Sequence, residues 1–346
     1  MVFGAFFMAA TFSFQFYDLP LRHPFTISRY TVTVQKTVVV CISNGVYSGY
    51  GEATVNPYYN STVEKLTASL LKLQKTVDFS SHLHPKEMWQ QLAPLVPDDY
   101  FALCAVDMAY WDFYAQQNKT KLRRYWSDTD GITPLTSYTI AIDTISIMKQ
   151  KIIEMPWPIY KIKLGTAHDI EIVRSLRKVT DAVFRVDANC AWTADETIAY
   201  AKILEELNVE FIEQPLKADD IVGMKKVRSH SVLPVVADES CQREEDAALC
   251  CDLFHGINIK LMKCGGITPA LRMIDSARKF GVSIMIGCMT ESTVGISGLV
   301  QLAPLLDYLD ADGALLLSAD IADGAKFDFG KICYPEASGC GIKIRV

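Results

Sequence analysis

Six charged side chains recur in phase along the last two thirds of the chain: Lys163, Asp187, Glu213, Asp238, Lys260 and Asp310, separated by 24, 26, 25, 22 and 50 residues. Each closes a short apolar run, in "PIYKIKLG", "AVFRVDAN", "VEFIEQP", "LPVVADES", "GINIKLM" and "YLDADGALL". The last interval spans two units, with "VSIMIGCM" between them, and "TSYTIAID" precedes the series. Apolar runs of this length alternating with amphipathic helical patterns describe βα units, and eight of them predict a (β/α)8 barrel. Barrels of this kind build their sites at the C-terminal ends of the strands, so the six charges land on one rim. A single strand-end carboxylate often caps the next helix. Six in phase indicate a site.

Upstream of residue 130 the texture differs. "FSFQFYDL", "TVQKTVVVCIS" and "YSGYGEATV" read as strands, and "STVEKLTASLLKLQ" and "ALCAVDMAYWDFYAQQ" as helices, which makes an α+β module. The expected division is an α+β capping domain over 1–130 with a leader at 1–10, the barrel over 131–320, and a C-terminal segment, 321–346, returning to the capping domain. At 346 residues and 50% hydrophobic content the chain has a full core. A net charge of −6 without a basic block excludes nucleic acid as a partner. Ten cysteines lack CxxC spacing or the density of a secreted scaffold, which predicts a reducing, cytoplasmic setting. The apolar start "MVFGAFFMAATFSF" has no Lys or Arg before Arg22, so it reads as a leader running into a strand. No apolar run reaches membrane-spanning length, so no membrane partner is expected. Homo-oligomer formation is left open.

Asp187, Glu213 and Asp238 stand on consecutive strands. Three oxygen donors without His or Cys suit a hard cation that keeps water-filled positions, which favours Mg2+ over zinc, one per subunit. Lys161 and Lys163 share one face of their strand, and lysine is rarely buried unless paired; the carboxylates on the next strands supply the partners. Lys260 follows on the far side of the carboxylate strands. A substrate carboxylate on Mg2+ accepts the charge that develops when its α-proton leaves, as an enediolate. A lysine beside a second lysine and a divalent cation is shifted toward its basic form. Two lysines on opposite faces then permit 1,1-proton transfer with inversion of the carbon.

"KIK", "DAN", "EQP", "ADES" and "NIKLMKCGGI", with "HPFTISR" and "GYGEATV" upstream, together resemble the enolase superfamily in its muconate lactonizing enzyme subgroup, over nearly the whole chain. The resemblance implies a modified enolase-type barrel under a capping domain. It also implies Lys163 and Lys260 as acid/bases, Lys161 as supporting neighbour, and Asp187, Glu213 and Asp238 as magnesium ligands. The subgroup hosts cycloisomerization, o-succinylbenzoate synthesis, N-acylamino acid racemization and dipeptide epimerization, and fold does not choose among them.

Asp310 and Asp312 of "LDADGA" resemble the pair with which dipeptide epimerases bind the substrate's α-ammonium group. A free ammonium in a partly dry pocket needs an anionic partner. The expected reaction is therefore dipeptide epimerization. The alternatives are an N-acylamino acid racemase or o-succinylbenzoate synthase, and outside catalysis a silent binding protein. Thr139 in "SYTIAID" matches a position that hydrogen-bonds the substrate. Arg29 in "PFTISRY" resembles an arginine of L-Ala-D/L-Glu epimerases on a loop closing the barrel mouth, and its donor fork suits a carboxylate. That implies an Ala-Glu substrate from murein peptide. Tyr30 in the reading position would favour an apolar or aromatic side chain instead. Glu291 reads as a helix-start acid, and the six histidines form no ligand-spaced pair.

Overall fold

The computed structural model describes residues 9–27, 30–129 and 131–345. The leader expected at 1–10 therefore lies mostly outside the described residues. The capping module opens with a three-stranded antiparallel meander, β1 (Thr11–Thr26), β2 (Thr31–Ser43) and β3 (Ser48–Thr54). β-branched Val38, Val39, Val40 and Ile42 supply the buried stretch of β2. The β1–β2 register shifts between Pro20 and Phe25, which redirects the far end of the hairpin, where Phe25 pairs with Val32. Helices α1 (Val63–Thr76), α2 (Pro85–Leu92) and α3 (Tyr100–Gln117) follow. Thr62 caps α1, His84 caps α2 in a capping box with Glu87, and Asp99 caps α3.

α3 is apolar around nearly its whole circumference, which suits a helix buried on every side. It lies directly on β3. A Cβ at Gly51 would stand 2.1 Å from the Ala105 carbonyl oxygen, and one at Gly49 would stand 2.2 Å from that of Ala109.

The barrel strands are β4 (Tyr138–Ile140), β5 (Ile159–Lys163), β6 (Val183–Asp187), β7 (Val209–Glu213), β8 (Val235–Ala237), β9 (Gly256–Ile259), β10 (Ser283–Gly287) and β11 (Tyr308–Asp310). All eight run parallel in chain order. The cylinder closes where Thr136 bridges Leu309 and Ala311 N donates to Thr136 Oγ1 at 2.8 Å. Between the strands lie α4 (Ile145–Glu154), α5 (Asp169–Arg177), α6 (Ala194–Glu206), α7 (Ile221–His230), α8 (Ala247–Leu253), the single turn α9 (Leu261–Cys264), α10 (Ile267–Phe280) and α11 (Thr293–Leu299). A 3-10 turn, Gly313–Leu316, takes the place of a helix after β11. Side chains of one parity point inward. Phe211, Val236, Met285 and Tyr308 form a separate apolar cluster, each two residues before Glu213, Asp238, Gly287 or Asp310. The buried Arg185 guanidinium lies over the Phe211 and Tyr308 rings, and the charged rim stands above this layer.

Carboxylates of the capping module cap two barrel helices. Asp107 on α3 accepts from Thr268 N (2.9 Å) and Thr268 Oγ1 (2.6 Å) in the first turn of α10. Glu52 on β3 accepts from Ser292 N, Ser292 Oγ and Gly295 N at the start of α11. Helix N-termini carry unpaired N–H groups and partial positive charge, so these contacts fix the cap on the barrel. The C-terminal segment returns to the same helix, where Cys340 N donates to Asp112 Oδ1 at 2.7 Å.

Candidate active site

The inward parity of β5 to β8 brings the expected carboxylates together. Asp187 ends β6, Glu213 ends β7, and Asp238 stands one residue past β8; all three are buried. Each offers an oxygen within 4.8 Å of the others. Lys163 Nζ reaches Asp187 Oδ2 at 2.7 Å. Lys161 lies deeper, 2.8 Å from Glu213 Oε2, 2.8 Å from Asp310 Oδ2 and 3.3 Å from Asp187 Oδ2. Lys260 Nζ meets Asp238 Oδ2 at 2.8 Å from the opposite flank. The buried lysines therefore find their partners on the carboxylate strands.

The donor set fits a hard divalent cation. It consists of carboxylate oxygens alone, and Glu213 Oε2 accepts no well-directed hydrogen bond although the Lys161 ammonium stands 2.8 Å away. Burial, reinforced by Asp187, pushes the Glu213 carboxyl up to about 7. For Asp238 burial works the same way, but Lys260 and Lys263 outweigh it and hold the group well below the usual carboxylate range. Burial disfavours the Lys260 ammonium, yet Asp238, Tyr59 and Glu213 together outweigh it and raise the group well above its ordinary value. The protein's own groups thus favour the charged form of Lys260.

Asp310 and Asp312 both line the same cleft, which Lys161, Lys163, Lys260 and Thr139 also line, in a space of about 760 Å3 counting its open mouth. Asp310 is held on both oxygens, by Ser137 Oγ (2.8 Å) and by Lys161. Asp312 Oδ2 accepts from the backbone N of Thr139 at 2.5 Å, and Oδ1 faces the Cys288 thiol at 3.8 Å. Burial and the neighbouring Asp310 push Asp312 up to about 7. Arg29 lies outside the described residues. Phe25, Ile27, Tyr30 and Val32, around the turned end of the β1–β2 hairpin, form part of the cleft wall.

Several supporting groups escape sequence reasoning. Asn258 Nδ2 donates to Glu213 Oε1 at 2.8 Å. Gln214, at a positive φ of 33°, accepts from Asp238 N and Ser240 N. Lys263 Nζ bonds Asp238 Oδ1 at 2.7 Å. Asn258 and Lys263 stand two residues before and three after Lys260, offsets that place them on one face of a strand and one side of a helical turn. Glu291 is buried beside the Glu52 cap, with Oε1 accepting from Met289 N.

Comparison with known proteins gives a concordant result. Residues 144–346 match the model of the enolase C-terminal domain-like family, and residues 12–124 that of the mandelate racemase / muconate lactonizing enzyme N-terminal domain. An L-Ala-D/L-amino acid epimerase of Flavobacterium johnsoniae is 51% identical, over 95% of this chain and 98% of its own length. An L-Ala-D/L-Glu epimerase of Bacteroides thetaiotaomicron is 37% identical, over 94% and 86%. Among solved structures, a dipeptide epimerase of Cytophaga hutchinsonii complexed with Mg and the dipeptide D-Ala-L-Val superposes with a TM-score of 0.90 at 25% identity, over 98% of this chain and 96% of that one.

Proposed function

Because the chain belongs to the mandelate racemase / muconate lactonizing enzyme family of the enolase superfamily, we propose that it inverts the α-carbon of the C-terminal residue of a dipeptide by 1,1-proton transfer between Lys163 and Lys260. The protein is an isomerase, a dipeptide epimerase, and its cofactor is Mg2+. The observation that carries the proposed mechanism is the placement of the two lysines. Lys163 contacts Asp187 at one end of the carboxylate trio and Lys260 contacts Asp238 at the other, and both line one cleft. Asp187, Glu213 and Asp238 would hold the ion. When bound, Mg2+ stabilises as a Lewis acid the negative charge that gathers on the substrate carboxylate. Lys163 takes or returns the α-proton on one face and Lys260 on the other. Lys161, locked among Asp187, Glu213 and Asp310, orders the carboxylates. Asp312 and Asp310 receive the substrate ammonium, with Thr139 placing Asp312. The functional division is the cap over 1–130, the barrel over 131–320 and the tied-back segment 321–346. Ten free thiols support a cytoplasmic setting, and no described helix is long and apolar enough to cross a membrane.

The C-terminal side chain of the substrate would lie against the end of the β1–β2 hairpin. Arg29 would read an acidic residue there, as in L-Ala-D/L-Glu, and such a substrate would serve murein-peptide recycling. The described wall of Phe25, Ile27, Tyr30 and Val32 favours a second reading, an apolar side chain. Wild type and Arg29→Met assayed with Ala-Glu and Ala-Leu separate the two. A selective loss on Ala-Glu supports the acidic reading, and an unchanged ratio removes Arg29. Turnover of N-acetylated dipeptides in preference to free ones, or of neither, would overturn the epimerase assignment.

A further inference from the structure

Lys263 takes no part in the proton transfer proposed above, yet its ammonium is buried against the metal-ligand strands. It donates to Asp238 Oδ1 at 2.7 Å, to the Asp238 carbonyl oxygen at 2.6 Å and to the Cys241 carbonyl oxygen at 2.9 Å. A fourth acceptor, the Asn258 carbonyl oxygen, stands farther off at 3.4 Å, so the three short contacts take the three protons of the ammonium group. We infer that Lys263 is the positioning residue of the metal site, holding Asp238 by one oxygen and its loop by two carbonyls, so that Oδ2 alone is presented beside Lys260. The inference rests on the reading of Asp238 as a metal ligand.

The need for such a clamp follows from the chain. Asp238 lies past the end of β8, beyond the ladder that fixes Asp187 and Glu213. Gln214 holds the loop through Asp238 N and Ser240 N; Lys263 holds its carbonyls and the carboxylate. The clamp is itself seated firmly. α9 is a single turn ended by Gly265 and Gly266 at φ of 103° and 128°. A Cβ on Gly266 would stand 2.4 Å from Asp107 Oδ2, so the turn rests on α3 of the capping module.

Two effects of removing Lys263 oppose each other. Loss of a cation makes the site more negative, which favours a divalent ion. Loss of the clamp leaves a buried carboxylate oxygen and the Cys241 carbonyl without the Lys263 donor, and leaves the Asp238 carbonyl with the Cys241 N donor at 3.1 Å. Removing an outer-shell partner typically weakens metal binding about 10–100-fold, so orientation dominates.

The test is Mg2+ affinity by titration calorimetry on wild type, Lys263→Met and Asp238→Asn, with thermal melts alongside. Lys263→Met is expected to bind Mg2+ about ten- to a hundredfold more weakly while melting cooperatively, and to regain epimerase turnover at saturating Mg2+. Wild-type affinity in folded Lys263→Met overturns the inference. If that variant does not fold, Lys263→Gln decides the matter, since it keeps two N–H donors without the charge; intermediate affinity is expected, and wild-type affinity again overturns the claim. Asp238→Asn separates the two layers. Unchanged Mg2+ affinity there would reject Asp238 as a ligand, whereas weakened affinity there with none in the Lys263 variants would reject only the clamp.

Discussion

Asp310 and Asp312 share a parity and a rim, but their surroundings divide their work. Ser137 and Lys161 occupy both oxygens of Asp310, whereas Asp312 Oδ1 faces the Cys288 thiol at 3.8 Å. Asp312 is the better placed anion for an incoming ammonium, and a bound cation would offset the burial that raises its carboxyl. Asp312→Asn is therefore expected to cost free dipeptides on the order of 2 to 5 kcal/mol of productive binding, with N-acetylated dipeptides far less affected; steady-state kinetics on matched pairs reads the difference, and equal losses would contradict the assignment. The rim carboxylates and lysines were legible because a 22–26 residue period exposes them one by one. The tie from Lys161 to Asp310 was not, because it crosses the barrel between strands 149 positions apart. The cleft wall was legible through the resemblance, which put "PFTISRY" on a loop closing the barrel mouth, whereas the register shift between Pro20 and Phe25 has no local pattern to announce it.

Among the elements, α3 carries the cap onto the barrel, and its fit against β3 depends on the two glycines beneath it. Gly51→Ala would drive a methyl into the Ala105 carbonyl, a backbone atom that cannot step aside. Overpacking of this kind costs about 1–3 kcal/mol, so a denaturant melt of Gly51→Ala should show that loss, and wild-type stability would refute the close approach. In "YSGYGEATV", read as a strand, nothing local accounts for the two glycines; their cause is a helix some fifty residues further along. The helix itself was legible from its apolar run, and so were the strands of the barrel. Capping across the domain boundary was hidden, since Asp107 and Glu52 pair with helix starts 161 and 240 residues away, respectively.

The molecule as a whole hangs on these buried carboxylates, and one of them gives its stability a pH dependence. Burial pushes Asp107 up to about 7 against the hydrogen bonds of Thr268. A raised carboxyl contributes stability that is fully present below its unfolded value, near 4, and is lost as pH rises to about 7. The melting temperature of Asp107→Asn relative to wild type should accordingly climb between pH 4 and 7 and level off above; a pH-independent gap would show that Asp107 stays ionised. The proposed two-base chemistry rests on the two lysines flanking one carboxylate cluster. The direct measurement is proton exchange in deuterated water, with Mg2+ present, on each epimer of a dipeptide substrate supplied separately to wild type, Lys163→Ala and Lys260→Ala. Wild type should label and epimerize both. Each variant should fail to epimerize and should exchange the α-proton of one epimer alone, the opposite one in the two variants, whereas full epimerization by either variant, or exchange of the same epimer by both, would contradict the two-base mechanism.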